Sequence, residues 1–136
     1  MATLNPYISF NGKTRQAMNF YKDIFGGELE LNEVGGSPME QHWPSGAKDA
    51  IFHSVLNNGK LQIMATDMSG PDGLVAGNHI SMALGCESKE EITNLYNKLG
   101  AGGEILDTLK EQFWGALFAT VKDKFGIVWM MNCDKH

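Results

Sequence analysis

Two histidines stand where imidazole chemistry would have elements to hold it. His53 lies in the apolar run Ile51-Phe52-His53-Ser54-Val55, and His79 opens His79-Ile80-Ser81-Met82-Ala83-Leu84. Imidazole is the side chain whose ordinary pKa lies nearest neutrality, so it serves as acid, base, anchor or metal ligand. His53 has two readings: a group facing a cavity, or a core imidazole bonded to a backbone carbonyl. Asp67 follows the strand-like run Leu61–Thr66, where a carboxylate tying loop N–H groups is the favoured reading over catalysis. Trp114, beside Gly115, either walls a cavity or packs under a loop. His42 and Trp43 fall in a long loop that would act as a lid or a partner contact. Cys86 and Cys133 have no histidine near them in sequence and form no Cys-x-x-Cys, which makes nucleophilic chemistry a poor reading. His136, at the end of the sequence, adds nothing.

These groups need elements to position them. Trp114 to Asn132 reads as two apolar strands, Trp114–Val121 and Ile127–Met131, around a Lys122–Gly126 turn opened by Asp123. Both runs are apolar on both faces, so this hairpin is expected at the centre of a sheet. Upstream, 4–10 reads as a strand. Ala17, Phe20, Tyr21, Ile24 and Phe25 then recur at helical spacing, and Gly26-Gly27 ends that helix. Residues 28–34, 50–56 and 61–66 read as strands, with Asn57-Asn58-Gly59 as a hairpin turn. Residues 35–49, with Gly, Ser and Pro at 35–38 and again at 44–46, read as a loop, and 67–78 as a connection. Then the order restarts. His79–Leu84 is a strand, and Ser88 with Glu91 forms a capping box that opens a helix burying Ile92, Leu95, Tyr96 and Leu99. Gly100 ends that helix, Glu104–Asp107 is a short strand, and the Trp114 hairpin completes the set. Asn19-Phe20-Tyr21 with Gly26-Gly27-Glu28-Leu29 is answered by Asn94-Leu95-Tyr96 with Gly102-Gly103-Glu104-Ile105. Each half therefore reads strand, helix and three strands: an α+β domain spanning 1–136, made of two tandem βαβββ modules, about 1–68 and 77–136.

A chain of 136 residues, 43% apolar and 20% charged, has the ordinary composition of a globular domain. Folding at this size buries roughly two-thirds of the chain's surface, so neither disulfide nor metal staple is required. A net charge of −5 without a Lys/Arg cluster argues against nucleic acid or an anionic membrane surface as partner. No apolar run approaches the ~20 residues that span a bilayer. Two isolated cysteines and no secretory leader lead to an expectation of the cytoplasm.

The tandem βαβββ pattern resembles the vicinal oxygen chelate fold, a cup-shaped, mainly antiparallel sheet shared by glyoxalase I, bleomycin-resistance proteins and extradiol dioxygenases. Within that superfamily the sequence is similar to the PhnB-like branch. The matching residues are Pro6 to Gly12, Ala17 with Phe20-Tyr21, Phe25-Gly26-Gly27, His53, Met64 with Asp67, Phe113-Trp114-Gly115, and Asp123 to Gly126 with Trp129. Members of this branch are often labelled methyltransferases. No Gly-x-Gly-x-x-Gly follows a strand here, so that label gains no support.

The resemblance implies metal ligands on the first and last strands of each half. Carried over, those positions fall at Asn5, near Ile63, at His79 and at Met130. Only His79 is a plausible ligand for a divalent ion, and a catalytic metal wants about three protein ligands. No superfamily-type metal centre and no cofactor are expected. The same positions turn Val128, Met130 and Asn132 toward a cavity and Ile127, Trp129 and Met131 toward a helix. They also place Ser81 and Ala83 with His79, and Tyr7 and Ser9 with Asn5. The expected cup is lined by Tyr7, Ser9, His53, Asp67, His79, Ser81, Trp114 and Met130, a mixture suited to a small, partly apolar molecule. Catalytic candidates are His53 and His79. The resemblance implies a homodimer that binds an organic ligand without a complete metal site. The alternative is a lyase, isomerase or dioxygenase of the glyoxalase type.

Overall fold

The computed structural model describes residues 1–43, 48–69 and 73–134. The Pro44–Gly46 part of the loop reading, residues 70–72 of the following connection, and His136 lie outside them. The chain divides into two compact units, Met1–Val75 and Ala76–His136.

The first unit holds β1 (Tyr7–Ser9), α1 (Thr14–Phe25), β2 (Glu28–Glu33), β3 (Ile51–Asn57) and β4 (Gln62–Thr66). They form a four-stranded sheet in the order β1-β4-β3-β2. Strands β1 and β4 run parallel, whereas β4-β3 and β3-β2 are antiparallel. Helix α1 buries Thr14, Ala17, Met18 and Tyr21; of the stripe its spacing predicts, Ala17 and Tyr21 are buried, Phe20, Ile24 and Phe25 are half-buried, and Met18 lies outside it. It covers the sheet face carrying Ser54, Leu56, Ile63 and Ala65, all buried. The opposite face carries Tyr7, His53, Val55 and Met64; His53, Val55 and Met64 are half-buried and Tyr7 is exposed. The strand expected over 4–10 is shorter, because only Tyr7, Ile8 and Ser9 pair with β4. The loop after β2 contains a 3-10 turn, Pro38–His42, which Ser37 caps by accepting from the Met39 N–H.

The second unit repeats this plan with β5 (Met82–Gly85), α2 (Lys89–Gly100), β6 (Glu104–Glu111), β7 (Leu117–Lys122) and β8 (Val128–Cys133). Its sheet order is β5-β8-β7-β6, so the β7-β8 hairpin is interior as expected. Ser88 Oγ accepts from the Glu91 N–H at the start of α2, and Glu91 Oε1 accepts from the Glu87 N–H. Helix α2 buries Ile92, Leu95 and Leu99 against the sheet face of Ala119, Val121, Trp129 and Met131. Tyr96, expected on the buried stripe, is half-buried.

Three further boundaries differ from the sequence reading. β5 begins at Met82, leaving His79, Ile80 and Ser81 ahead of the ladder. β6 extends to Glu111, past two register shifts. Trp114 belongs to the β6-β7 turn, not to β7: the Gly115 N–H donates to the Gln112 carbonyl and the Gln112 N–H to that of Ala116. The Phe113-Trp114-Gly115 triplet is turn chemistry that an aromatic-rich run disguises as strand.

The two copies of Gly-Gly-Glu play the same part. A Cβ on Gly27 would lie 2.5 Å from the Asn57 carbonyl oxygen, and one on Gly103 would lie 2.1 Å from that of Lys122. In each unit the second glycine lets the start of the edge strand cross the tip of the neighbouring hairpin, where no side chain fits.

Candidate functional site

Strand register fixes which residues correspond between the units. Tyr7 pairs with Met64, and Met64 with Val55. Ala83 pairs with Met130, and Met130 with Thr120. Phe10 donates its N–H to the Thr66 carbonyl as Cys86 does to that of Asn132. Met64 thus answers Met130, Tyr7 answers Ala83, and His53 answers Phe118.

This register corrects two of the carried-over positions. Ile63 is 3% exposed on the α1 side, so the counterpart of Met130 on the uncovered face is Met64. The counterpart of Asn5 is Ser81, two residues beyond His79. His79 itself is exposed and off the strand, because the ladder begins three residues later. The positions where the superfamily would place a metal thus offer Asn and Ser, just ahead of the first strand of each unit, and two thioethers. Neutral thioethers do not replace carboxylates toward a hard or borderline divalent ion. Among the described residues no three His, Cys, Asp or Glu side chains converge. The residues present do not fit a superfamily-type metal.

The uncovered face of the first sheet brings together Tyr7 and His53. Tyr7 Oη lies 3.2 Å from His53 Nδ1, with ring centroids 5.7 Å apart. The pair has a definite polarity whichever atom holds the proton. If the phenol donates, His53 keeps an Nε2–H donor and Tyr7 keeps an oxygen lone pair. If Nδ1–H donates, Tyr7 keeps its O–H and His53 keeps an Nε2 acceptor. Either way one donor and one acceptor remain for a ligand. Ser9 sits opposite Thr66 on the same face, and Met64 and Val55 supply the apolar ground.

Asp67 is engaged differently. Its Oδ1 accepts from the Gly12 N–H (2.8 Å), the Thr14 N–H (3.1 Å) and the Thr14 hydroxyl (2.6 Å). Its Oδ2 accepts from the Ile51 N–H at 2.8 Å. Burial pushes the carboxyl pKa up, but these bonds outweigh it and hold the group below the usual carboxylate value. The carboxylate thus ties the start of α1 and the start of β3 to the end of β4, the structural reading made from its position after a strand.

In the second unit Met130 lies on the uncovered face, 39% exposed, with Ala83 and Thr120 beside it. Trp114 stacks edge-on with Phe113 and with Phe118, at 4.9 and 6.2 Å between centroids. Ser81 is exposed ahead of β5. The Cys86 thiol is pushed up to about 11 by burial, by Glu91 and by Cys133, a state that keeps it protonated and unreactive.

Two features escaped sequence reasoning. The Tyr7–His53 contact joins strands far apart in sequence. Asp123 not only opens its turn by accepting from the Phe125 and Ile127 N–H groups but also accepts from the Trp129 indole at 2.8 Å. The Asp123…Trp129 spacing on one hairpin was the available signal.

The model of the glyoxalase/bleomycin resistance protein/dioxygenase superfamily matches residues 3–131. The chain belongs to that superfamily. Protein YjdN of Escherichia coli (strain K12) is 31% identical over 142 residues, covering 98% of this chain and 96% of that protein. The crystal structure of protein PA1353 from Pseudomonas aeruginosa is 34% identical, with a TM-score of 0.89 and full coverage of both chains. The PhnB protein from Bacillus cereus is 23% identical, with a TM-score of 0.77 over 97% of this chain and 99% of that one, a likeness of fold. The two helices and two four-stranded mixed sheets are those of this superfamily's α+β, vicinal oxygen chelate fold. No helix among the described residues is long and apolar enough to cross a membrane.

Proposed function

We propose that this superfamily member binds a small, partly apolar organic molecule on the uncovered face of its first sheet, without a divalent metal or other cofactor. The observation that carries this reading is the Tyr7–His53 pair, which offers one donor and one acceptor beside Met64 and Val55. A ligand with adjoining hydrogen-bonding oxygens on an apolar body fits that lining. Binding or sequestration is favoured over lyase, isomerase or dioxygenase chemistry, because thioethers occupy the strand positions where carboxylates would be needed. Ser9 is a further contact on this face.

We read the two units as halves of one domain that works as a cytoplasmic homodimer. Phe113 at the β6-β7 tip is 97% exposed, and Ile105 and Leu106 are exposed on the edge strand β6, a surface suited to pairing with a second copy. Two buried free thiols accord with a reducing compartment.

The test is a thermal-shift screen of untagged protein with divalent ions, the methylglyoxal–glutathione adduct and bleomycin-type drugs, alongside metal analysis. Stabilisation by an organic ligand in chelator, lost in Tyr7→Phe and His53→Ala, supports the proposal. Stoichiometric metal, or stabilisation that requires it, sinks the proposal and restores the enzyme reading.

A further inference from the structure

A cavity lies within the first unit, built by segments the sheet-face site does not use. Asn11, Met39, His42, Trp43, Asp67, Met68 and Ser69 enclose about 340 Å³. That volume falls in the range of small-molecule pockets, roughly 300–1,000 Å³. Met39 and His42 are three residues apart on the 3-10 turn, a spacing that puts both side chains on one side of it. Trp43 closes that turn, and Met68 and Ser69 arrive from the end of β4. Asn11, also in the lining, has a left-handed backbone, φ 49°, which an Asn tolerates and which turns the chain sharply into α1.

The lining has a sign. Asp67 is its charged member, and all four of its hydrogen bonds come from neutral groups, three backbone N–H and one hydroxyl. Such donors stabilise a carboxylate without cancelling its charge. No lysine or arginine is among the residues named as lining the cavity. Arg15 borders the adjoining cavity on the other side of Asp67, but its guanidinium lies 3.2 Å from the Glu33 carboxylate, which matches its charge. The chain's net charge of −5 adds to the negative potential. The apolar members are the side chains that accept a soft cation best: an indole, whose face attracts cations, and two polarizable, adaptable thioethers.

We propose that this cavity is a binding site for a compact organic cation, an amine or quaternary ammonium ion with an apolar body, held by Trp43, Met39 and Met68 above the Asp67 charge. The site is separate from the Tyr7–His53 face, and the variants that disable one leave the other intact.

The experiment titrates full-length protein with benzyltrimethylammonium, benzyl alcohol and benzoate, by calorimetry and by tryptophan fluorescence. The cation is expected to bind at least tenfold more tightly than the alcohol, with benzoate weakest. Trp43→Leu and Met68→Ala each lose tenfold or more in cation affinity, and Trp43→Phe, which keeps an aromatic face, loses less. Tyr7→Phe and His53→Ala leave cation affinity unchanged. Thermal unfolding within a few degrees of wild type confirms that each variant folds. Should Trp43→Leu fail to fold, Met39→Leu with Met68→Leu replaces it, preserving volume while removing both sulfurs, and the same loss is expected. Equal binding of alcohol and cation, full cation affinity without Trp43, or no saturation at millimolar concentrations overturns the proposal.

Discussion

Replacing Asp67 by alanine tests whether one carboxylate holds the first unit's α1, β3 and β4 in register. The substitution strips acceptors from three backbone N–H groups, Gly12, Thr14 and Ile51, and from the Thr14 hydroxyl. Thr14 is fully buried, so water cannot replace its lost partner without the helix start opening. A hydrogen bond to a charged group contributes about 1.5–3 kcal/mol, and less where solvent competes, as at Gly12. Counting the two Thr14 bonds and the Ile51 bond at the low end of that range and Gly12 at a discount, the expected loss is about 5 kcal/mol. Asp67→Asn separates charge from shape. Its carbonyl can keep the Oδ1 bonds, but its NH₂ then faces the Ile51 N–H, donor against donor. An intermediate loss of about 2–3 kcal/mol is expected. Urea unfolding measures both values, and hydrogen exchange at Ile51 reports the broken link directly. The acid limb carries a sign as well. The folded-state pKa is depressed, so the contribution is fully present above the unfolded value of about 3.9 and fades as pH falls through the folded one. Wild-type stability should thus drop below about pH 4 more steeply than that of Asp67→Asn. A loss under about 1 kcal/mol for Asp67→Ala, or equal acid limbs, would refute the tethering role.

Asp123→Ala should destabilise the second unit by about 2–4 kcal/mol, since it removes the carboxylate that accepts from the buried Trp129 indole and from the Phe125 and Ile127 amides. Denaturant melts followed by tryptophan emission measure this. Gly103→Ala and Gly27→Ala should each cost more than about 2 kcal/mol, because the new Cβ meets backbone atoms that cannot step aside. Gly85→Ala, facing open space, serves as the control and should be near neutral in the same melts. Cys86 should react with a thiol reagent orders of magnitude more slowly than free cysteine at neutral pH, given a pKa of about 11. Rapid labelling of the native protein would show that its burial is wrongly assigned.

What the sequence disclosed and what it hid divide along physical lines. Both helices were legible because each carries a continuous apolar stripe and a clear stop, and Ser88 and Glu91 sit at the spacing a helix start demands. The turns at Asn57–Gly59 and Lys122–Gly126 were legible because their residue types have few other uses. Strand ends were not. Leu4 and Ile80 have strand-like character, but pairing depends on a neighbour's length, and β4 and β8 stop short of them. Trp114 misled for a related reason: an aromatic raises the strand reading, although only the Gly115 and Gln112 bonds decide where the chain turns. At the site, Met130, a position carried over from the resemblance, lies on the uncovered face. Ile63, carried over in the same way, does not, because a one-residue slip in such a position moves a side chain to the other face. The Tyr7–His53 contact has no local signature at all.

The repeat shows where the two halves have parted. Their scaffolding stayed the same: the glycine crossing the hairpin tip, the amide after the first strand bonding the last strand's carbonyl, and a methionine on the uncovered face. The facing chemistry diverged, since Tyr7 and His53 in the first unit answer to Ala83 and Phe118 in the second. Converting the first face to the second's residues, Tyr7→Ala with His53→Phe, should thus leave the fold standing, with thermal unfolding near that of wild type, while removing the polar recognition proposed for that face.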